Sequence, residues 1–233
     1  LGGASNVALN IKKSGIDVRL FGIVGNDQNA IILNNLIKKN NIENSLIKSK
    51  QNTITKLRVM SKNKQMLRMD FEEKYSLVQS DKLLKNFEKM KNDSGLLILS
   101  DYNKGTLDVK KWIAISKEKK LQVIVDPKGN DFSKYKGIYC LTPNFKEFQE
   151  VVGNIDSDRE LDEKAHNLVK KLKLNFLLIT RSENGISVYE KNYKSYHFPS
   201  ETKEVIDVTG AGDTVIAILA SMLARGKSFV EAC

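Results

Sequence analysis

The sequence predicts an α/β fold: a mainly parallel sheet with helices on both faces, interrupted once by a small β-hairpin. Two observations predict it. Short apolar, β-rich runs alternate with helical stretches along most of the 233 residues, which is the rhythm of successive strand–helix units. One segment, residues 52–72, instead carries two adjacent alternating runs joined by a polar turn, which is the pattern of a hairpin.

The elements follow in order. After Gly2 and Gly3, "SNVALNIKKSG" has apolar residues at helical spacing and a glycine stop, and "VRLFGIVG" reads as a buried strand. "DQNAIILNNLIKKNN" reads as a helix with an aspartate cap. In "TITKLRVMSKNKQMLRMDFEE", Thr53, Thr55, Leu57 and Val59 alternate with Ile54, Lys56 and Arg58, "SKNK" turns the chain, and "QMLRMDF" returns it. A two-faced hairpin inserted here is a candidate lid. From Ser80 the α/β rhythm resumes with strands "LLILSDY", "QVIVDP", "GIYCLTPN" and "FLLITRS", separated by helical stretches around 109–120, 146–152 and 159–171. "GISVYEKNYKSYHFPS" reads as a second hairpin, and it delivers the chain to "EVIDVTGAGDTVIAILASMLARG", a glycine-rich turn before an apolar helix. Both ends look cut: the chain opens inside "LGGASNVALN" without an initiator methionine or a leading strand, and closes soon after the apolar helix.

Bulk properties narrow the function classes. Hydrophobic residues make up 41% and charged residues 28%, which fits one large folded domain rather than a disordered chain. The net charge of +10 invites a nucleic-acid reading, but only six of the 38 basic residues are arginines. The lysines are scattered, and clusters such as "KKNN" and "KEKK" lack the interleaved aromatics that stack on bases. A solvated lysine-rich surface is expected, with no nucleic-acid partner. No apolar run approaches the roughly 20 residues that cross a bilayer, and no basic, apolar leader opens the chain, so a cytoplasmic protein without a membrane partner is expected. Cys140 lies in an apolar run and Cys233 is the last residue, a pattern that suggests neither disulfide nor metal site. His166 and His197, far apart and on different predicted elements, read as structural.

In a parallel sheet, ligands sit beyond the carboxyl ends of the strands. Those ends carry Ser100, Asp101 and Tyr102; Asp126, Pro127 and Lys128; Thr142, Pro143 and Asn144; and Thr180, Arg181 and Ser182. The "TGAGD" loop runs into a helix whose first N–H groups have no partner inside the helix, so it can cradle an anion. A carboxylate at such a mouth repels phosphate unless it serves the reaction. Transfer of a γ-phosphoryl group to a hydroxyl uses both halves: the N–H groups stabilise developing charge while Asp213 accepts the hydroxyl proton. Taken alone, "GAGD" reads equally well as a capping aspartate in a glycine turn. A Walker A loop is excluded because no lysine follows the glycines, and a dinucleotide fingerprint fails at Val215.

"DVTGAGD" and the early "GGASNVA" resemble the signatures of the ribokinase-like (PfkB) sugar kinases. "TITKLRV", "LRMDFEE", "LSDYNKG", "DPKGNDF", "LTPNFKEF" and "TRSENG" are similar, in this order, to the kinases of that superfamily that act on D-glycero-β-D-manno-heptose 7-phosphate. The resemblance spans the whole chain. It implies a ribokinase-like three-layer αβα domain over 1–233, truncated at both ends, with residues 52–72 as a β-hairpin lid. It also implies ATP and Mg²⁺ as cofactors, phosphorylation at O1 to the 1,7-bisphosphate on the route to ADP-heptose and lipopolysaccharide core, a homodimer, and in some members fusion to a nucleotidyltransferase domain. Asp213 would be the base, with Gly210, Ala211 and Gly212 as the anion hole. Asn144, Phe145, Lys146 and Glu147 would form the nucleotide segment, with Thr180 and Ser182 near it and Glu147 and Asn144 organising Mg²⁺ through water. Gly2, Gly3 and Asn6 would approach the sugar. Arg68, Asp70, Asp101, Lys104 and Lys128 are further candidates for sugar or phosphate contacts, Arg68 also as a partner of Glu72 or Glu73. Another sugar kinase of this fold, or an inactive nucleotide- or sugar-phosphate-binding fragment, are the alternatives.

Overall fold

The computed structural model describes residues 1–61, 64–91, 93–200 and 210–233. The chain opens with α1 (Ala4–Lys13), β1 (Arg19–Val24), α2 (Gln28–Lys39) and β2 (Glu43–Lys48), and β1 and β2 pair in parallel as a two-stranded sheet. β3 (Thr55–Ser61) and β4 (Lys64–Phe71) pair antiparallel as a separate two-stranded sheet, the hairpin that the alternating runs predict. α3 (Leu77–Glu88) leads to β5 (Leu96–Ser100), and α4 (Val109–Glu118) to β6 (Gln122–Asp126). β7 (Cys140–Leu141), α5 (Phe145–Val152), α6 (Asp158–Leu172), β8 (Phe176–Thr180), β9 (Ile186–Glu190) and β10 (Ser195–Phe198) follow, and α7 (Ala211–Ala224) and α8 (Phe229–Ala232) close the chain.

β5 to β8 are parallel, β9 and β10 add antiparallel, and together they form a six-stranded sheet in the order β10-β9-β8-β7-β6-β5. Successive side chains along a strand point to opposite faces, and here both faces are buried. Val123, Val125, Leu141, Leu177, Ile179 and Tyr189 pack into the layer that holds Leu83, Trp112, Phe148 and Leu168 of α3, α4, α5 and α6. The intervening Ile124, Cys140, Leu178 and Val188 pack on the other side against α1, α7 and α8. This is why these strands read as continuous apolar runs, and why the molecule has three layers.

Local chemistry fixes the element ends. The Asp27 carboxylate caps α2 by accepting from the Ala30 N–H at 2.8 Å, and also accepts from the Thr53 N–H and hydroxyl at 2.7 and 2.8 Å, tying the hairpin base to α2. β7 is shorter than "GIYCLTPN" suggests because Pro143 has no N–H to continue the ladder. Three elements have no counterpart in the sequence reading: β2, the short α8, and α3, which Ser76 and Gln79 open with a capping box. Among the described residues β1 pairs only with β2 and β5 only with β6, so an unpaired edge of each faces the same cleft. No described helix is long and apolar enough to cross a membrane.

Candidate active site

The carboxyl ends of the parallel strands meet at one cleft of about 1480 Å³, lined there by Ser100, Asp126, Thr142, Asn144 and Thr180. Sheet register aligns these ends: Ser100 lies beside Asp126, the Asp101 N–H donates to the Asp126 carbonyl at 3.0 Å, and Asn144 bridges Thr180. The gap between the edges of β1 and β5 opens into the same space.

Asp213 lies in the first turn of α7 and lines the cleft with Gly210 and Gly212, whereas Ala211 does not. Gly210 has φ 80°, a left-handed conformation that glycine adopts at little cost. A Cβ there would stand 3.2 Å from the Asn6 amide nitrogen, and that amide is the one that fixes the acid: Asn6 Nδ2–H donates to Asp213 Oδ2 at 2.9 Å. The Tyr102 hydroxyl donates to the other oxygen at 3.4 Å. Gly3, with φ 53°, lets α1 start against the Tyr102 ring, 3.1 Å from where a Cβ would be. Two glycines thus let two helix starts and a strand end converge on one carboxylate. Burial, and after it the Asp213 charge, hold the Tyr102 hydroxyl well above its ordinary pKa, so it stays a donor. No side chain caps α7, and Gly210 and Gly212 at its start line the same mouth. Gly2 also lines the cleft, its carbonyl accepting from the Ser5 hydroxyl at 2.7 Å. Asp207, Val208 and Thr209 of the signature lie outside the described residues.

Across the cleft, Asn144 and Glu147 form a reciprocal capping box for α5: Asn144 Oδ1 accepts from the Glu147 N–H at 2.9 Å, and Glu147 Oε2 from the Asn144 N–H at 3.2 Å. Lys128 Nζ reaches Glu147 Oε1 at 2.9 Å, and that hydrogen bond raises the lysine pKa. All three residues line the cleft. Lys146 is exposed outside it. Phe145 packs on the core beneath the Arg181 guanidinium, 5.9 Å from its ring centre. Ser182 starts a short 3-10 turn with φ 53° and does not reach the cleft. Asp126 is the most perturbed acid here: burial first, then the charges of Glu147 and Asp213, push its carboxyl up to about 7. Such an excess of negative charge suits a hard divalent cation. Among the described residues no cluster of three or more His, Cys, Asp or Glu side chains able to hold a metal ion exists.

The remaining candidates separate. Asp101 turns inward, 6% exposed, accepting from the Tyr135 hydroxyl and the Lys134 ammonium at 2.7 Å each and from the Asn103 N–H at 2.8 Å. It also lines the cleft. Lys104 lines the cleft and pairs with Glu72. Arg68 pairs with Asp70 at 2.7 Å rather than with Glu72 or Glu73: Asp70 is the nearer acid on the same strand face and Glu72 is paired with Lys104 and Lys56, and neither Arg68 nor Asp70 lines the cleft. His166 and His197 pack around Tyr189, with ring centres 5.3 and 6.0 Å away, remote from the cleft. Tyr102 and Asp126 are cleft-lining residues to which the sequence reading assigned no role. Their signal was position alone, each at the carboxyl end of a parallel strand.

Comparison with known proteins bears on this geometry. The chain is 46% identical over 234 residues to the bifunctional protein HldE of Pasteurella multocida (strain Pm70), covering 100% of this chain and 49% of that protein. It is 47% identical, with the same coverage, to the bifunctional protein HldE of Histophilus somni (strain 129Pt). The chain thus spans about half the length of the curated relatives it matches. The structure of phosphofructokinase-2 from Escherichia coli in complex with fructose-6-phosphate superposes with a TM-score of 0.83 at 19% identity, covering 99% of this chain and 78% of that one. Ribokinase from Giardia lamblia superposes with a TM-score of 0.77 at 19% identity, covering 95% and 72%. These two show a shared ribokinase-like fold. The pfkB family carbohydrate kinase model matches residues 1–233, and the chain belongs to that family of kinases.

Proposed function

We propose that this chain is the kinase part of a protein that phosphorylates D-glycero-β-D-manno-heptose 7-phosphate at O1 with ATP, giving the 1,7-bisphosphate on the route to ADP-heptose and lipopolysaccharide core. The single observation that carries the chemistry is the Asp213 carboxylate, held from one side by Asn6 and from the other by Tyr102 at the uncapped start of α7. The substrate is supported by the family and by relatives called bifunctional protein HldE at 46–47% identity over the whole chain.

In this reading Asp213 takes the proton of the attacking hydroxyl. Asn6 and Tyr102 each occupy one lone pair of a carboxylate oxygen and fix its plane, leaving other lone pairs for that proton. The N–H groups at Gly210, Ala211 and Gly212 stabilise charge on the transferred phosphoryl group. Gly2, Gly3 and Asn6 border the sugar. Asn144, Glu147, Lys128 and Thr180 border the nucleotide, with Asp126 and Glu147 as the carboxylates facing Mg²⁺. The bound ion supplies charge neutralisation between phosphate oxygens. Residues 52–72 act as the lid of the 1–233 kinase domain.

The partners follow from the same reading. The relatives' extra length supports a second domain in the whole protein, a nucleotidyltransferase, and ATP places the reaction in the cytoplasm. A homodimer would cover the outer face of the hairpin, where Leu57, Val59, Leu67 and Met69 are 37–49% exposed.

The test is ATP consumption with the product identified by mass, on the full-length protein offered heptose 7-phosphate, fructose 6-phosphate and ribose, beside Asp213→Asn. Heptose-selective bisphosphate formation that falls by about 10²- to 10⁴-fold in the variant, with ATP binding retained, is expected. Preference for another sugar would sink the heptose assignment and leave the chemistry; full activity of Asp213→Asn would sink the base.

A further inference from the structure

The helix that follows Asn144 is too short to hold its own place. α5 is eight residues long, and only Phe148 in it is fully buried, with Phe145, Val151 and Val152 partly packed on the core. An isolated helix of that length is unstable in water. Asn144 caps it, Glu147 lies in its first turn, and a single bridge joins Asn144 to Thr180 at the end of β8. Lys128 holds Glu147 within the cleft. Outside the cleft, the Arg181 guanidinium lies over the ring of Phe145, the first residue of α5, 5.9 Å from its centre.

Arg181 is itself fixed from several directions. Its Nη2 donates to Asp158 Oδ1 at 2.8 Å, in the first turn of α6, and its Nη1 donates to the Oγ of the fully buried Ser187 on β9 at 3.3 Å. Its main-chain N–H donates to the Gly185 carbonyl at 2.8 Å, and its carbonyl accepts from the Asn184 N–H at 3.0 Å. Gly185 has φ 76°, and a Cβ there would meet the Phe198 carbonyl oxygen at 2.0 Å, so only glycine closes the turn after β8. The Asp158 side chain is 79% exposed, and such a pair contributes little to stability by itself. Its effect is to aim the guanidinium. A planar guanidinium can stack on a ring and bond two acceptors at once, which an ammonium cannot do. Unlike Thr180 beside it, Arg181 does not line the cleft, so any effect on a ligand passes through Phe145.

We propose that Arg181 is a positioning residue for the nucleotide: acting through Phe145, it holds the start of α5 so that Asn144 and Glu147 keep facing the cleft, and so sets nucleotide affinity without touching the nucleotide. This inference rests on the sugar-kinase reading above and adds to it a residue outside the cleft that tunes one of the two substrates and not the other.

The experiment compares wild type, Arg181→Met, Arg181→Lys, Phe145→Leu and the Arg181→Met/Phe145→Leu double variant in the full-length protein. Turnover is measured with ATP and heptose 7-phosphate, binding of ADP with Mg²⁺ by calorimetry without sugar, and the thermal midpoint of each variant checks that it is folded. Arg181→Met is expected to raise KM for ATP and Kd for ADP about three- to thirtyfold, with a smaller rise in Arg181→Lys. KM for the sugar, and kcat at saturating ATP, should stay within about twofold of wild type. Phe145→Leu should give a similar rise, and the double variant no more than either single change, because both remove one contact. Effects that multiply in the double variant, an unchanged nucleotide affinity, or an equal loss in kcat and in both KM values overturns the assignment and leaves the kinase reading intact. Should Arg181→Met fail to fold, Arg181→Lys and Phe145→Leu carry the same comparison of nucleotide against sugar. If the wild type phosphorylates no sugar while ADP binding follows the expected pattern, the kinase reading falls and the positioning role stands.

Discussion

The two walls of the cleft are held in opposite ways. At the strand ends, Asp101 is 6% exposed and bonded to Tyr135, Lys134 and the Asn103 N–H, and burial is the main cause that raises the Asp126 carboxyl. At the hairpin the bonds are ion pairs between side chains 19–44% exposed, and the outer face is apolar and open. Buried hydrogen bonds tolerate little displacement, because an orphaned partner pays the full desolvation cost. Rim ion pairs are screened by water and exchange readily for other anions. The strand-end wall therefore sets the geometry of the acid, whereas the hairpin wall is suited to give way to a ligand.

The largest expected effect breaks the first wall. Asp101→Ala leaves the Tyr135 hydroxyl and the Lys134 ammonium with only their longer donor contacts to the Lys128 carbonyl, at 3.4 and 3.3 Å, and urea unfolding should show a loss of about 3 kcal/mol. A loss near zero would mean that the strand ends are no firmer than the hairpin. Next comes a pH effect. Because the Asp126 carboxyl is raised to about 7 in the fold, the folded chain binds more protons than the unfolded one between about pH 4 and pH 7. The stability of the metal-free protein should be greatest in acid with respect to this group. It should fall as pH rises, with a slope of up to about 1.4 kcal/mol per unit, so about 2 kcal/mol between pH 5 and 7. Unfolding curves at several pH values should show that slope in wild type and a flatter one in Asp126→Asn. Asn6→Ala, which frees one oxygen of Asp213, should lower kcat about tenfold while KM for ATP stays in place. Arg68→Ala on the hairpin should leave the thermal midpoint unmoved, since water replaces the arginine; a clear drop would erase the contrast between the walls.

What the sequence showed follows from the same contrast. Strands β5 to β8 were legible because both faces of the sheet are buried there, so their text is almost continuously apolar. The hairpin was legible because its alternation survives exposure on both faces. β2 was not: "ENSLIK" is half polar and lies at a sheet edge. The start of α3 was signalled by Ser76 and Gln79, three residues apart, and went unread. In the site, the glycines and Asp213 were visible as a motif. The Tyr102 contact spans 111 residues and the Asn6 contact 207, and only the order of the strands and the packing of α1 on α7 bring such positions together. The Arg68 partner was missed for a local reason: Asp70 is the nearer acid on its strand face, and Glu72 is taken by Lys104 and Lys56.

The unpaired edges of β1 and β5 carry a consequence for the order in which the molecule comes apart. Among the described residues no ladder hydrogen bond joins the β1–β2 ribbon to the six-stranded sheet. The ribbon is held by side chains, notably Phe21 against the rings of Phe87 and Trp112, 5.7 and 6.2 Å away. Such a ribbon is a separate cooperative unit, able to open while the sheet stays closed. Its amides should exchange with solvent ahead of those of β6 and β8, so one side of the cleft dissolves and re-forms on a shorter clock than the strand ends that hold the acid.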